Sequence, residues 1–261
     1  MFKKPFTLIS SQVDKLFELP MIKELERKHP KFVGFLHDRL GVQGFFGLPF
    51  TTLLIAVFVN FAVLSELSEH IVNSPGMKAV DTSVTMFFFN LRTDLLSSAI
   101  YYFTQLGSVY GVGFTFVTAM GVLLLKGKWH HGVALLVSVL GSGISIYFTK
   151  AYFHRERPMD VGYYDLSTFS FPSGHAAGSV ALVGMLCVLI YQERDQIKAA
   201  SAWLWLGFLY ILLIGFSRIY LGVHFLTDVA GGYLLGSLWV MVALSLLEFL
   251  LLHQKRNRHS V

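Results

Sequence analysis

The stretch "FSFPSGHAAGSVALVG", residues 169–184, decides the fold. It opens on Pro172, Ser173, Gly174 and His175 and then turns almost wholly apolar, a character that persists to residue 191. A run of this length matches the roughly 20 residues that a helix needs to cross the hydrocarbon core of a bilayer. A titratable histidine at the mouth of such a helix places polar chemistry at a membrane face.

Working outward, five more stretches share this character: 45–65, 102–125, 132–151, 201–217 and 228–247. The expected fold is therefore all-α, a polytopic membrane bundle of six transmembrane helices. Composition agrees, with 54% hydrophobic residues, 24 phenylalanines and only 14% charged residues. A soluble domain carries more charge. The net charge of +5 is not gathered on a soluble module but flanks the apolar runs, which points to a bilayer and away from nucleic acid. The lone cysteine, Cys187, lies in an apolar run and reads as a small buried hydrophobe. No cleaved signal peptide is expected, because the first 44 residues hold no long apolar core followed by small residues.

Orientation follows from the basic residues. With both termini inside, the inner segments 1–44, 126–131, 192–200 and 248–261 hold fifteen of the twenty-one Lys and Arg. The outer segments hold Lys78, Arg92, Lys150, Arg155, Arg157 and Arg218. The positive-inside rule thus predicts cytoplasmic termini. The expected organisation is a partly amphipathic N-terminal segment (1–44), a six-span membrane domain (45–252) and a basic cytoplasmic tail (253–261).

Two segments have helical apolar spacing suited to an interfacial helix. One is 78–92, with Val80, Val84, Phe87, Phe88 and Leu91; the other carries Ile9, Val13, Leu16 and Phe17. Ordinary packing against the bundle accounts for either equally well. Three GxxxG pairs, Gly107/Gly111, Gly174/Gly178 and Gly232/Gly236, predict close helix contacts.

On this topology the unusual polar residues gather at one face. Lys150 ends the third span and Arg157 follows in the outer loop. Ser173, Gly174 and His175 open the fourth span, Ser217 and Arg218 close the fifth, and His224 and Asp228 begin the sixth. A charge deep in a span costs about 2.5–3.5 kcal/mol even on permissive insertion scales. Singly, each residue has a structural explanation: Lys150 and Arg218 as snorkelling cations, Ser173 as a helix N-cap, His224 and Asp228 as an i,i+4 helix pair. Together, three cations converging on a helix N-terminus make an anion site.

The same residues form an ordered signature. "KAYFHRERP" gives Lys150, Arg157 and Pro158; "PSGH" occupies 172–175; "SRIYLGVHFLTD" gives Ser217, Arg218, His224 and Asp228. These motifs, at 150–158, 172–175 and 217–228, resemble those of the type 2 phosphatidic acid phosphatase superfamily, a group of membrane lipid phosphatases. The resemblance implies a metal-independent hydrolase with no cofactor. It assigns His224 as the nucleophile that carries a phosphohistidine, Asp228 as the group orienting it, and His175 as the general acid. Lys150, Arg157, Ser173, Gly174 and Arg218 would bind phosphate. The implied substrate is a lipid phosphomonoester or pyrophosphate held by the bilayer, such as undecaprenyl pyrophosphate, phosphatidylglycerol phosphate or phosphatidic acid. The motifs would face the periplasmic or extracellular side of a cytoplasmic membrane.

Other readings carry less. A zinc site at His175, His224 and Asp228 would be opposed by the three nearby cations. An anion transporter would line a path through the midplane, not cluster its charges at one face. A catalytically inactive lipid-binding relative would not need both histidines and Asp228. Tyr163, Tyr164, Phe169 and Phe171 in the outer loop read as interfacial aromatic anchors with a possible part in substrate selection. His154 reads as an interface or secondary substrate contact. The sequence points to no particular oligomer.

Overall fold

The computed structural model describes residues 15–40, 48–193 and 197–259. Among them every regular element is helical. The chain divides into two compact units, residues 1–59 and 60–261. In the first, α1 (Pro20–Lys28) and α2 (Pro30–Leu40) both begin on proline, whose missing N–H costs nothing at a helix start. Lys28 pairs with Glu24 at 2.9 Å, and the Phe17 and His37 rings meet edge to face at 4.8 Å. Leu16 is largely exposed. Ile9 and Val13 lie outside the described residues.

The helix α3 (Leu48–Asn73) runs across the division. It is followed by α4 (Pro75–Asn90), α5 (Asp94–Thr104), a 3-10 turn (Gln105–Gly107), α6 (Val109–Leu125) and α7 (Trp129–Phe153). After a long loop come α8 (Gly174–Ser179), a π-helical turn (Val180–Gly184), α9 (Met185–Glu193), α10 (Ile197–Tyr220) and α11 (Leu226–His259). The last helix continues through most of the basic tail.

Among the described residues, five stretches are long and apolar enough to cross a membrane unbroken: Phe50–His70, Trp129–Phe153, Gly174–Gln192, Ser201–Tyr220 and Leu226–Gln254. The predicted second span is different. It is a pair, Asp94–Gly107 and Val109–Leu125, bent by 43°. Hydroxyl caps explain the breaks. The Ser108 hydroxyl accepts from Gly111 N at 3.2 Å and restarts the helix there, as Thr93 does for Leu96 N and Ser74 for Met77 N, both at 3.4 Å.

Two packing devices position the helix ends that carry the motifs. Helix α11 lies so close to α8 that a Cβ on Gly232 would come within 2.7 Å of the Ser173 carbonyl oxygen, and one on Gly236 within 2.6 Å of that of Ala177. This predicted glycine pair is a helix contact. The other two pairs differ: a Cβ on Gly174 or Gly178 meets only ordinary contacts, whereas in the third pair Gly107 abuts Ile214 of α10, within 2.7 Å of a Cβ there, and Gly111 faces its own chain across the bend. The second device is Arg92, which donates to Tyr220 O at 2.6 Å and Val161 O at 2.5 Å. It crosses Gly222, whose φ of +66° and close neighbours leave no room for a side chain.

The apolar core of the second unit is formed by Leu123, Leu135, Leu182, Met185, Leu189 and Leu247. There the hydroxyl of Ser138 on α7 donates to Ala181 O at 2.7 Å within the π turn. Trp239 Nε1 donates to Ser145 Oγ at 2.9 Å. Cys187 is half-buried, not fully buried, with its thiol 3.5 Å from Trp203 O.

The 78–92 segment does form a helix, but its buried face is not the apolar stripe. Asp81 and Thr85 are buried alongside Val84 and Phe88, while Val80, Phe87 and Leu91 stay exposed. Phe171 is fully buried against Phe153 and is no interfacial anchor. His154 caps α7 in the left-handed region (φ 46°) with its ring against Phe169.

Candidate active site

The predicted polar residues do converge. His224 and Asp228 come from the turn between α10 and α11. His224 precedes the helix, so the pair is a turn-to-helix contact, not the i,i+4 helix pair expected from spacing. Asp228 stands in the first turn of α11, where its Oδ2 accepts from Phe225 N at 2.8 Å, as the acidic half of a capping box does. The same oxygen accepts from the Ser170 hydroxyl and lies 3.5 Å from His224 Nδ1. Ser173 N donates to Asp228 O at 2.9 Å, which ties the start of α8 to the same turn.

Arg157 embraces the other side of the imidazole. Its NH1 lies 3.2 Å from His224 Nε2 and donates to Val223 O at 2.5 Å; its Nε donates to Thr168 O at 2.7 Å. Because Arg157 has only protons to offer, Nε2 is the acceptor nitrogen and Nδ1–H points towards Asp228. Burial pushes the His224 imidazole down to about 3; Asp228 opposes this, and Arg157 and Arg218 add to it. The ring is therefore neutral at neutral pH. The Arg157 guanidinium is itself pressed below its usual range, first by burial and then by Arg218.

The remaining cations close the cup. Lys150 Nζ, on the last turn of α7, donates to Phe169 O. Arg218 is fully buried at the end of α10. Its NH1 donates to Thr104 Oγ1 at 3.1 Å, and its guanidinium stands 5.7 Å from the Tyr164 ring centre. Ser217 Oγ also donates to Thr104 Oγ1, at 2.7 Å. Thr104 belongs to the broken second span, so the bend delivers the acceptor that holds both residues. His175 lies beside this bend, 3.5 Å from where a Cβ on Gly107 would stand. Arg218, His224, Arg157 and Lys150 are all within electrostatic reach of it.

Ser173 corrects an expectation. It occupies the N-cap position of α8, but its hydroxyl makes no capping bond. Among the described residues its Oγ is buried without a partner, and so are Arg218 Nε and NH2. Leaving a buried donor unpaired costs about 1–3 kcal/mol, and more for a charged group. Three such donors around His224 suit an anion with several oxygens. No three of His, Cys, Asp and Glu come together as a metal-binding group among the described residues.

Sequence reading missed a second layer. Asp228 Oδ1 accepts from Arg155 NH1 at 2.5 Å, and Arg155 NH2 donates to Asp81 on α4 at 2.7 Å. Asp81 is almost wholly buried. The sequence signal was a lone carboxylate in "AVDTSVTMFFF", since carboxylates are rarely buried without a partner. Behind Arg157, a cavity of about 530 Å³ is lined by Asp81, Thr85, Phe153, Arg155 and Phe225. Arg157 is the one predicted site residue that lines it.

The fold and site together define a multi-pass helical membrane protein with a histidine–carboxylate pair set in a cationic cup. Residues 131–251 match the PAP2 superfamily model. It is 24% identical over 186 residues to phosphatidylglycerophosphatase B of Bacillus subtilis, covering 70% of this chain and 89% of the relative. Over 73 residues it is 37% identical to an undecaprenyl-diphosphatase of Sulfolobus acidocaldarius, covering 28% of this chain and 30% of that one. The fold resembles the crystal structure of a transmembrane PAP2-type phosphatidylglycerolphosphate phosphatase from Bacillus subtilis. The TM-score is 0.67 at 22% identity, over 72% of this chain and 94% of that one. Aquifex aeolicus LpxE superposes with a TM-score of 0.52 at 25% identity, over 63% and 94% of the two chains.

Proposed function

We propose that this protein is a membrane lipid phosphatase that hydrolyses a phosphomonoester or pyrophosphate of a bilayer lipid through a phosphohistidine. The observation that carries the reading is the acceptor nitrogen of a neutral His224, held by Arg157 beside the unpaired donors of Arg218 and Ser173.

In this reading the phosphoryl oxygens take the free Arg218 and Ser173 donors, the Gly174 backbone N–H and the charges of Lys150 and Arg157. Fixed cations serve phosphoryl transfer best in the transition state, where charge spreads over the equatorial oxygens. His224 Nε2 forms a bond to phosphorus as the phosphorus–oxygen bond to the lipid breaks, and His175 gives a proton to the departing oxygen. Asp228 stabilises the positive charge that grows on His224. Water then attacks the phosphohistidine, His175 takes its proton, and phosphate leaves with the His224 lone pair restored. No metal or cofactor is needed in this scheme, because protein cations supply the charge stabilisation.

The substrate's acyl or isoprenoid tail stays in the bilayer while its phosphate enters the cup. Undecaprenyl pyrophosphate, phosphatidylglycerol phosphate and phosphatidic acid all have this form. The relatives named for phosphatidylglycerophosphate and undecaprenyl diphosphate support the first two. The cup faces the periplasmic or extracellular side, a placement that rests on the positive-inside rule. The test is phosphate release from these three lipids by purified protein in detergent with EDTA present. Release from at least one, abolished in His224→Ala, is expected. Activity that vanishes in EDTA and returns with one divalent ion would overturn the metal-independent scheme.

A further inference from the structure

Arg155 is not a motif residue, and Asp81 lies well before the region that matches the family. Both are nevertheless built into the base of the site. We propose that Asp81 and Arg155 form a shared-charge clamp that positions Asp228, and through it His224, for attack on phosphorus. Both act as positioning residues, and the role rests on the reading of His224 as nucleophile.

The geometry divides the work of Asp228 between its two oxygens. Oδ1 takes Arg155 NH1 at 2.5 Å; Oδ2 takes Phe225 N at 2.8 Å, the Ser170 hydroxyl and the side of His224 bearing Nδ1. Arg155 does not belong to Asp228 alone. Its NH2 donates to Asp81 Oδ2 at 2.7 Å, its NH1 also donates to Thr227 Oγ1 at 2.7 Å, and its face lies 4.5 Å from the Phe225 ring centre. Asp81 accepts from Thr227 N at 3.1 Å and from the Thr227 hydroxyl at 2.5 Å, so it grips the first turn of α11 directly.

Asp81 and Asp228 are 1% and 0% exposed, and the Arg155 side chain 12%. In such a site charges are poorly screened. One cation shared between two carboxylates leaves Asp228 with charge to spend on His224. Without Asp81, the whole Arg155 charge would fall on Asp228 and draw the carboxylate towards Oδ1. The phosphate cup itself is built from Lys150, Arg157, Ser173 and Arg218, none of which contacts Asp81. A clamp therefore governs turnover and spares phosphate binding, whereas a mere staple between α4 and the loop would move both when broken.

The test compares Asp81→Asn, Arg155→Lys and Arg155→Gln with wild type as monodisperse protein in detergent. It measures kcat and KM on whichever lipid phosphate is hydrolysed, and Ki for inorganic phosphate as a competitive inhibitor. Asp81→Asn should lower kcat by about tenfold or more. Its KM and phosphate Ki should stay within about twofold of wild type. Arg155→Lys should recover part of the kcat lost in Arg155→Gln. Thr82→Ala, on the same helix with its hydroxyl bonded to Lys78 O, should behave as wild type. A wild-type kcat in Asp81→Asn, or KM and phosphate Ki rising together with a falling kcat, would overturn the clamp. If Asp81→Asn is not recovered monodisperse, Arg155→Lys against wild type decides by the same criteria. Hydrolysis of no lipid by wild type, or activity in His224→Ala, would overturn the functional reading instead. An inactive His224→Ala beside a normal Asp81→Asn would overturn the clamp alone.

Discussion

Arg157 NH1 stands 3.2 Å from His224 Nε2, on the opposite edge of the imidazole from Asp228. The arginine thus covers the acceptor nitrogen of the ring. Under the proposed mechanism, a phosphoryl group that reaches Nε2 meets this guanidinium first.

His224→Ala should therefore lose turnover by about a thousandfold or more, with the helical fold intact. Asp228→Asn should retain more activity than His224→Ala, since it weakens orientation and charge stabilisation but keeps the nitrogen. Steady-state phosphate release and far-UV circular dichroism on both variants give the comparison. Equal losses in the two would argue that Asp228 does more than orient.

Thr104→Val removes the acceptor shared by Arg218 NH1 and the Ser217 hydroxyl. A buried donor stranded in this way costs about 1–3 kcal/mol, part of which should appear as weaker phosphate binding. The expected outcome is a Ki for inorganic phosphate raised by about tenfold, with KM rising alongside. An unchanged Ki would show that Arg218 is held without Thr104.

The acid side of the stability profile carries a signature of His224. Its imidazole sits near 3 when folded, against 6.5 as the ordinary value. Between those two pH values the unfolded chain binds a proton here that the folded chain does not. Stability must therefore fall as pH drops through that window and level off below it. The drop in melting temperature from pH 7 to pH 4.5 should be smaller in His224→Gln than in wild type. A steeper drop in the variant would mean that the folded imidazole is protonated.

The membrane face has a direct assay. Single cysteines at Asp160 and at Lys128, with Cys187 replaced, should react differently with a membrane-impermeant thiol reagent in intact cells. Position 160 should label and position 128 should not. The reverse pattern would place the cup on the cytoplasmic side.

The spans and motifs were legible because both are local or evenly spaced: apolar runs of bilayer length, and polar letters at fixed intervals along Lys150–Asp228. Hydropathy did not reveal the bend between Gln105 and Ser108, because a capping serine inside an apolar run changes mean hydropathy very little. Gly107 followed by Ser108 was the available sign. The partners of the site were hidden for another reason. Asp81 meets Thr227, and Thr104 meets Arg218, across more than a hundred residues of chain, 146 and 114 respectively, and such pairs leave no periodicity to read. Arg155 was visible only as one more outer basic residue beside Arg157. Ser173 was placed correctly, but its hydroxyl serves no cap, a distinction that depends on where Oγ points and not on where the residue sits.

The π turn at Val180–Gly184 acts as a register adaptor within the fourth span. A π turn holds one residue more than an α turn, and each residue of an α-helix rotates the chain by about 100°. Ahead of it, α8 must aim His175 at the cup; behind it, Met185 and Leu189 must face the core. The extra residue lets one helix satisfy both azimuths. Deleting Val183 alone would leave every motif residue and every apolar letter of the core in place, yet swing the N-terminal half of the span by roughly a quarter turn against the C-terminal half. The chain would then have to sacrifice either the direction of His175 or the seating of Met185.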